Sequence, residues 1–376
     1  MIKVGIIGCG DVATHSYMPG LNRFNDRAKV VALFDIVEER IQNAKAFHPN
    51  ATGYTDYGEF LSHSDERMDL VLNLTPAPLH REITSRALEA GYNVYSEKPV
   101  ASTLEDAQEL VQIADSRGLT FFCAPAMMVT SRMMWLKQQM EEGTFGRAYF
   151  LKCQIGSMGP AAWREYSGDP RVFYTPKVGP LIDLGVYMLH TMTGFFGPAK
   201  RIQAVGGIMN EERVMLQPAR FGEKLKVEVP DLYSINIEFE NNRYGHLFNS
   251  FAVPRSKAPM FELYGSMGTA SVGLPEWYDA NGTTDLYLRE ESASGDNEFW
   301  RDGVPVPNPS RAVGVLDSGL LHAFDVLEYG VPNILTAAHA THVLEIMLAC
   351  GTALETGESI EITSTFEEEA RAVTTA

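Results

Sequence analysis

The sequence predicts a two-part α/β protein: a doubly wound N-terminal unit on a parallel sheet, followed by an α+β unit whose large sheet is mostly antiparallel. Three observations carry this. The 376 residues exceed what one hydrophobic core ordinarily organises, so two cores are expected. From residue 1 to about 125, short apolar runs alternate with helical patterns, as in strands joined by crossover helices. Beyond Pro125 that alternation gives way to longer β-rich runs.

The first run, IKVGII from Ile2 to Ile7, reads as a short buried strand and passes straight into Gly8-Cys9-Gly10-Asp11-Val12-Ala13. Further strands are predicted over 30–35, 69–75, 93–96 and 119–123. Arg81 to Ala90 has helical spacing and stops at Gly91, while Ser102 with Glu105 forms a capping box for a helix ending near Gly118. One more helix is predicted over 131–142, then strands over 149–155, 233–239, 244–251 and 261–264. The last helix covers 337–355, stops at Gly357 and precedes an extended 359–362. No internal repeat is visible, and the proline-rich 304–309 reads as a surface loop. These boundaries give 1–125 to the first unit and 126–376 to the second, with helix 337–355 as a candidate to pack back on the first.

A composition of 45% hydrophobic and 21% charged residues with net charge -17 is that of a soluble globular protein. The acidity argues against nucleic-acid or anionic-membrane partners. Cys9, Cys123, Cys153 and Cys350 are scattered without a CxxC pair, so neither a disulfide framework nor a thiolate zinc site is expected. A reducing cytoplasm fits this usage. No apolar run reaches the length of a bilayer span, and a strand starting at Ile2 leaves no room for a signal peptide, so a cytoplasmic protein is expected.

The glycine turn has a specific chemistry. Gly8 permits a tight strand-to-helix turn, Gly10 lets backbone amides approach a pyrophosphate at the positive helix end, and Ala13 is a small substitute for the third glycine. In this context, after a first strand and before a helix, the pattern is the Rossmann dinucleotide fingerprint, with Gly8, Cys9, Gly10, Asp11 and Val12 as cofactor contacts. Asp35 closes the second strand, where a carboxylate would bind the ribose hydroxyls and repel a 2′-phosphate. With no adjacent arginine evident, NAD is expected rather than NADP. The competing reading of Asp35 is a strand-terminal turn residue.

In Asn73-Leu74-Thr75-Pro76-Ala77-Pro78-Leu79-His80, two prolines force an extended loop as the strand over 69–75 leaves the sheet. Leu74, Thr75, Pro76 and His80 are therefore placed with the cofactor, although for His80 alone a packing role at a helix start outweighs catalysis. Glu97-Lys98-Pro99 ends the strand over 93–96, with a cis proline one way of fixing how the lysine projects. Glu97 and Lys98 are counted with the cofactor site. Burial eases proton loss from a lysine, so Lys98 is also the candidate to relay or donate a proton. The alternative is a surface ion pair between Glu97 and Lys98.

Together these residues resemble the glucose-fructose oxidoreductase and inositol dehydrogenase group, the Gfo/Idh/MocA family. The resemblance rests on the GCGDVA turn, the TPxxxH loop, the EKP tripeptide, the Trp163-Arg164 pair, the run from Gly179 to Tyr187 and the C-terminal helix containing His342-Val343-Leu344-Glu345-Ile346-Met347. It implies a nicotinamide-binding N-terminal domain and a C-terminal domain whose open sheet often mediates oligomers, here a homodimer or homotetramer. It also implies reversible oxidation of a sugar or polyol carbon.

Asp183-x-Gly185-x-Tyr187 matches the family's D-x-G-x-H-x-x-D segment, whose aspartate and histidine face substrate in many members. Tyr187 stands where histidine is usual, and His190 where the later aspartate is usual. The first change resembles the branch containing glucose-fructose oxidoreductase and dimeric dihydrodiol dehydrogenase, where tyrosine serves proton transfer. His190 is open between substrate contact and helix packing. In the aromatic segment 165–178, Arg171, Tyr174 and Lys177 are candidates for sugar hydroxyls or a charged substituent, or belong to an ordinary loop. Trp163 is a candidate to stack on the cofactor or a pyranose face, with Arg164 beside it. His339 and His342 lie three apart on a helix, but no carboxylate motif completes a site and no metal is expected.

The expected activity is an NAD-dependent dehydrogenase or ketoreductase acting on a monosaccharide, cyclic polyol or sugar derivative, with Lys98, Tyr187 and Asp183 as catalytic residues. Two rivals are a redox-assisted NAD-dependent glycosidase and a non-catalytic cofactor-binding regulator. Retention of both Lys98 and a proton-carrying Tyr187 argues against the second.

Overall fold

The computed structural model describes residues 1–166, 168–176, 178–273, 277–289 and 300–367. They form two compact units, one containing Met1–Val129 and Val315–Leu344, the other Thr130–Gly314 and Glu345–Phe366. The first unit is thus discontinuous and takes in 315–344, which the sequence reading had given to the second.

In the first unit six strands form one sheet: β1 (Ile2–Ile7), β2 (Ala28–Phe34), β3 (Thr52–Tyr54), β4 (Leu70–Asn73), β5 (Asn93–Ser96) and β6 (Phe121–Cys123). Their order is β3-β2-β1-β4-β5-β6 and every pairing is parallel, the doubly wound arrangement with the chain reversal beside β1. Helices α1 (Met18–Arg23), α2 (Glu38–Lys45), α3 (Tyr57–Leu61), α4 (His80–Glu89) and α5 (Leu104–Ser116) make the crossovers. The cap of α5 is Thr103, not Ser102. Thr103 has the extended backbone a cap needs, and its hydroxyl accepts from Asp106 N at 3.1 Å.

The late segment adds a layer that the sequence did not announce. The helix Val315–Tyr329 is buried nearly all round its first half, with Asp317, Ser318 and His322 among the buried residues, so no apolar period marks it. It packs against α1, where Asp317 pairs with Arg23. Arg27 donates to Asp325 at 2.7 Å and lies over the Tyr329 ring at 5.1 Å. At Gly319 a side chain would run into the Tyr95 hydroxyl, so the close approach of this helix to the sheet requires glycine. Cys123 N donates to Leu335 O at 2.9 Å, covering the edge of β6.

The second unit opens with α6 (Ser131–Glu141) and builds a nine-stranded sheet. Its strands are β7 (Ala148–Gly156), β8 (Ala199–Gly207), β11 (Leu232–Phe239), β12 (Arg243–Ser250), β13 (Phe261–Gly265), β14 (Gly268–Val272), β15 (Thr284–Leu288), β16 (Arg301–Val304) and β17 (Ile360–Glu361), with a separate hairpin of β9 (Glu212–Val214) and β10 (Lys224–Lys226). Among the described residues only β7 and β12 of this sheet pair in parallel, as the mostly antiparallel reading requires. Along β11, Tyr233, Ile235, Ile237 and Phe239 are buried and alternate with more exposed neighbours, so one face carries the core. The helix α7 (Val186–Phe196) packs against β7 and β12, and Lys137 of α6 donates to its terminal carbonyl at Phe195, 3.0 Å away. Asn241 and Asn242, at φ 59° and 53°, turn β11 into β12.

The last long helix, Ala337–Thr356, meets the length and apolarity of a membrane span with mean hydropathy 1.2, which the reading of apolar runs had passed over. Its apolar window is 67% buried inside the protein, as in a core helix.

Candidate active site

The glycine turn joins β1 to a π-helical turn, Ala13–Tyr17, that leads into α1. Gly8 has φ +88°, and a Cβ there would stand 3.0 Å from the carbonyl carbon and oxygen of Leu74. Only glycine lets the turn lie this close to the loop after β4. Above Gly10 the space is open, with nothing within 4 Å of where a Cβ would project. That combination fits a pyrophosphate approaching the helix N-terminus, with Asp11 and Val12 in the first turn and Ala13 fully buried behind them.

Asp35 is buried at the end of β2. Its Oδ2 accepts from Cys9 N and its Oδ1 from Val37 N, both at 2.9 Å. Each oxygen keeps a lone pair for a ribose hydroxyl. Arg40, largely exposed on α2, brings a guanidinium nitrogen to 3.7 Å from Asp35 Oδ1. The expectation that no arginine adjoins Asp35 is therefore corrected: the first turn of α2 folds residue 40 back over the strand end. Cys9 contributes through its backbone, because burial, reinforced by Asp35, pushes its thiol up to about 12.

The loops after β4 and β5 are tied together by buried polar side chains. Asn73 Oδ1 accepts from Thr75 N at 3.2 Å and from Thr75 Oγ1 at 2.6 Å, while its amide donates to Thr84 Oγ1 at 3.0 Å. Leu74 is buried and Pro76 exposed. His80 starts α4 with its ring nitrogens 2.7 Å from Pro99 O and 2.8 Å from Thr75 O, as a packing histidine at a helix start would be. Glu97 is 7% exposed and accepts from the Tyr17 hydroxyl at 2.6 Å and from Lys98 N at 3.0 Å, so a surface ion pair does not describe it. Burial and Glu97 together push the Tyr17 phenol well above its ordinary range. Lys98 is half-buried and its bond to Pro99 is cis.

In the second unit, Asp183 lies in the π-helical turn Leu181–Gly185 that precedes α7, and Tyr187 follows one turn later on the same face. π-helical turns are common at functional sites. Asp183, Tyr187 and His190 are all buried. The Tyr187 ring meets Trp277 edge to face, 5.2 Å between centroids at 80°. Trp277 escaped the sequence reading because it lies in an irregular stretch without a motif. The buried Arg132 of α6 fastens that stretch, donating to Asp279 O at 3.1 Å and Thr283 O at 3.3 Å.

The loop carrying Trp163 is a different matter. Trp163 meets Phe173 at 5.8 Å and Tyr166 at 6.3 Å, and Gln217 Nε2 donates to its carbonyl at 2.8 Å. Trp163 and Arg164 are both exposed. Arg171 is taken by Asp169 at 2.9 Å and Glu223 at 2.7 Å, so its charge serves the loop rather than a substrate. Tyr174, 1% exposed, packs with Met215, Leu225, Val227 and Phe251, and its hydroxyl accepts from Ala161 N at 3.1 Å. Tyr174 is thus a core residue and not a substrate contact. Lys177 lies outside the described residues. His339 and His342 are buried, and no group of three or more metal-ligating side chains occurs among the described residues.

Comparison with known proteins extends these observations. Residues 2–124 match an oxidoreductase family with an NAD-binding Rossmann fold, and residues 133–271 match the GFO/IDH/MocA C-terminal domain. An uncharacterised Saccharomyces cerevisiae protein is 32% identical over 300 residues, 74% of this chain and 76% of its own length. The dTDP-3,4-didehydro-2,6-dideoxy-alpha-D-glucose 3-reductase of Actinomadura kijaniata is 28% identical over 214 residues, 56% of this chain and 60% of its own. The chain spans about half the length of some of the curated relatives it matches, 54% of an uncharacterised Schizosaccharomyces pombe oxidoreductase, and 95% of the uncharacterised oxidoreductase YhhX of Escherichia coli. Among solved structures, the aldose-aldose oxidoreductase of Caulobacter crescentus shares the fold, with TM-score 0.76, 19% identity and coverage of 96% of this chain and 99% of that one. With an NAD(P)-binding Rossmann unit at one end and this C-terminal domain after it, the chain belongs to the GFO/IDH/MocA family of oxidoreductases.

Proposed function

We propose that this protein interconverts a hydroxyl and a keto or lactone group on a monosaccharide, cyclic polyol or sugar derivative. A nicotinamide dinucleotide, when bound, supplies the hydride acceptor or donor. The work left to the chain is to orient the reacting carbon and move one proton. Lys98 is assigned to the reacting hydroxyl and Tyr187 to its proton, with Asp183 orienting the substrate one turn away. The observation that supports the reading is the seat of Lys98: it follows the end of β5 by two residues, at the sheet edge where the glycine turn lies, with its own N–H and the carboxylate before it both hydrogen-bonded. The relatives' sugar and deoxysugar chemistry supports the substrate class.

Sugars, polyols and their keto derivatives, screened by reduced-nicotinamide absorbance with NAD and with NADP, test this. Turnover on at least one such compound is expected. Lys98→Met and Tyr187→Phe should each lower it roughly a hundredfold or more with dinucleotide affinity nearly unchanged, the scale of a lost proton-transfer group. The double variant should be little worse than either, since groups acting as a unit are non-additive. Multiplicative losses would mean independent roles, and a fully active Tyr187→Phe would shift the proton to another residue, His190 first.

A further inference from the structure

We propose that His80 is a positioning residue for Lys98, a clamp between the loop after β4 and the loop carrying the lysine that is complete only when both ring nitrogens bear a proton. This rests on the role given to Lys98 above. Pro99 O lies 2.7 Å from Nδ1 and Thr75 O lies 2.8 Å from Nε2. Both partners are carbonyl oxygens, which only accept. A neutral imidazole has one N–H, so it satisfies one carbonyl and turns a lone pair towards the other. The imidazolium satisfies both. Because the ring is 1% exposed, the missing bond is felt as an unsatisfied buried group rather than being taken up by bulk water.

The two loops differ in how else they are held. Thr75 is fixed independently, its N–H and hydroxyl both on Asn73 Oδ1. On the other loop, Lys98 N donates to Glu97, which in turn is held by Tyr17. The backbone before Lys98 is therefore tied to a carboxylate held by the Tyr17 phenol, and the carbonyl after it by an imidazole ring. The charged groups acting on that ring are Glu97, which favours the imidazolium, and Lys98, which opposes it. On its own helix Arg81 is paired with Asp106 and Glu109 of α5. Burial opposes the charge most strongly and draws the ring below the ordinary histidine range, against the pull of both carbonyls. The complete clamp thus belongs to the acid side of that range, and as pH rises the ring loses a proton and one tie.

The test follows the wild-type holoenzyme by NMR of labelled imidazoles from about pH 5 to 9, alongside turnover over the same range, with His80→Asn to assign the signal among the nine histidines. The His80 ring should gain its second proton as pH falls. Turnover should show a limb with the same midpoint. In His80→Asn that limb should vanish, turnover at the acid end should fall about tenfold, and NAD affinity should stay within about threefold. A ring that holds one neutral tautomer while turnover changes, a ring that titrates without a matching limb, or a variant that keeps the wild-type profile would each overturn the proposal. If the variant does not fold, the wild-type comparison decides alone. Failure of the Lys98 assignment is read separately, as a fully active Lys98→Met.

Discussion

Arg40 changes what Asp35 alone can decide about the cofactor. The carboxylate sits on two backbone amides and still offers lone pairs to a ribose, which favours NAD. The guanidinium 3.7 Å away is exposed enough to swing towards a 2′-phosphate, which would soften the exclusion of NADP. NAD should therefore be preferred only modestly in catalytic efficiency, Arg40→Glu should widen the preference about tenfold, and Asp35→Ser should reverse it, about 1.5–3 kcal/mol being the worth of a charged hydrogen bond. Equal use of both cofactors by the wild type would take the decision away from Asp35. The glycines, Asp35 and Lys98 were legible because each closes a strand and opens a turn. Arg40 was not, because its proximity depends on how α2 leaves the strand and not on sequence spacing.

At the scale of elements, the parallel sheet is readable from strands that are apolar on both faces and from helices with clear stops, with ends that differ by a residue or two, whereas β3, α2 and α3 are too short to show a pattern. The misassignments of Arg171 and Tyr174 have one cause. Their loop is covered by the hairpin of β9 and β10, whose Met215, Leu225 and Glu223 come from about fifty residues further on, so the local sequence shows a cation and an aromatic in a loop but not what covers them. The glycine turn makes the sharpest prediction here. Gly8→Ala places a Cβ against the Leu74 carbonyl in a left-handed backbone, a conformation costing about 1–2 kcal/mol for a side chain. Chemical denaturation should show a loss of at least that size, and dinucleotide titration a drop in affinity of roughly tenfold or more as the Leu74–Thr75 loop is pushed away. A variant with unchanged affinity would show that the close approach is incidental to binding.

For the whole molecule, acid is the direction of weakness. Burial draws His48 from 6.5 to about 4, so the folded chain resists a proton that the unfolded chain accepts. Stability from this group is fully present above about pH 6.5 and is lost as pH falls towards 4; His80, shifted the same way, adds to it. Thermal melts should therefore move to lower temperature across that window, and less steeply in His48→Gln. Identical slopes would remove His48 from the acid response.

The discontinuity of the first unit bears on how the protein comes into being. Met1–Val129 leaves the ribosome with all six strands of its sheet, yet the helix that lies on Tyr95, Arg23 and Arg27 and the segment that covers the edge of β6 belong to Val315–Leu344. While the intervening chain is being translated, the nascent sheet carries an uncovered apolar flank and an open edge, the features that invite chaperones and aggregation. Completion of the first unit is therefore expected late in synthesis, and a chain stopped before residue 315 should show a first unit less resistant to denaturant than that of the whole protein.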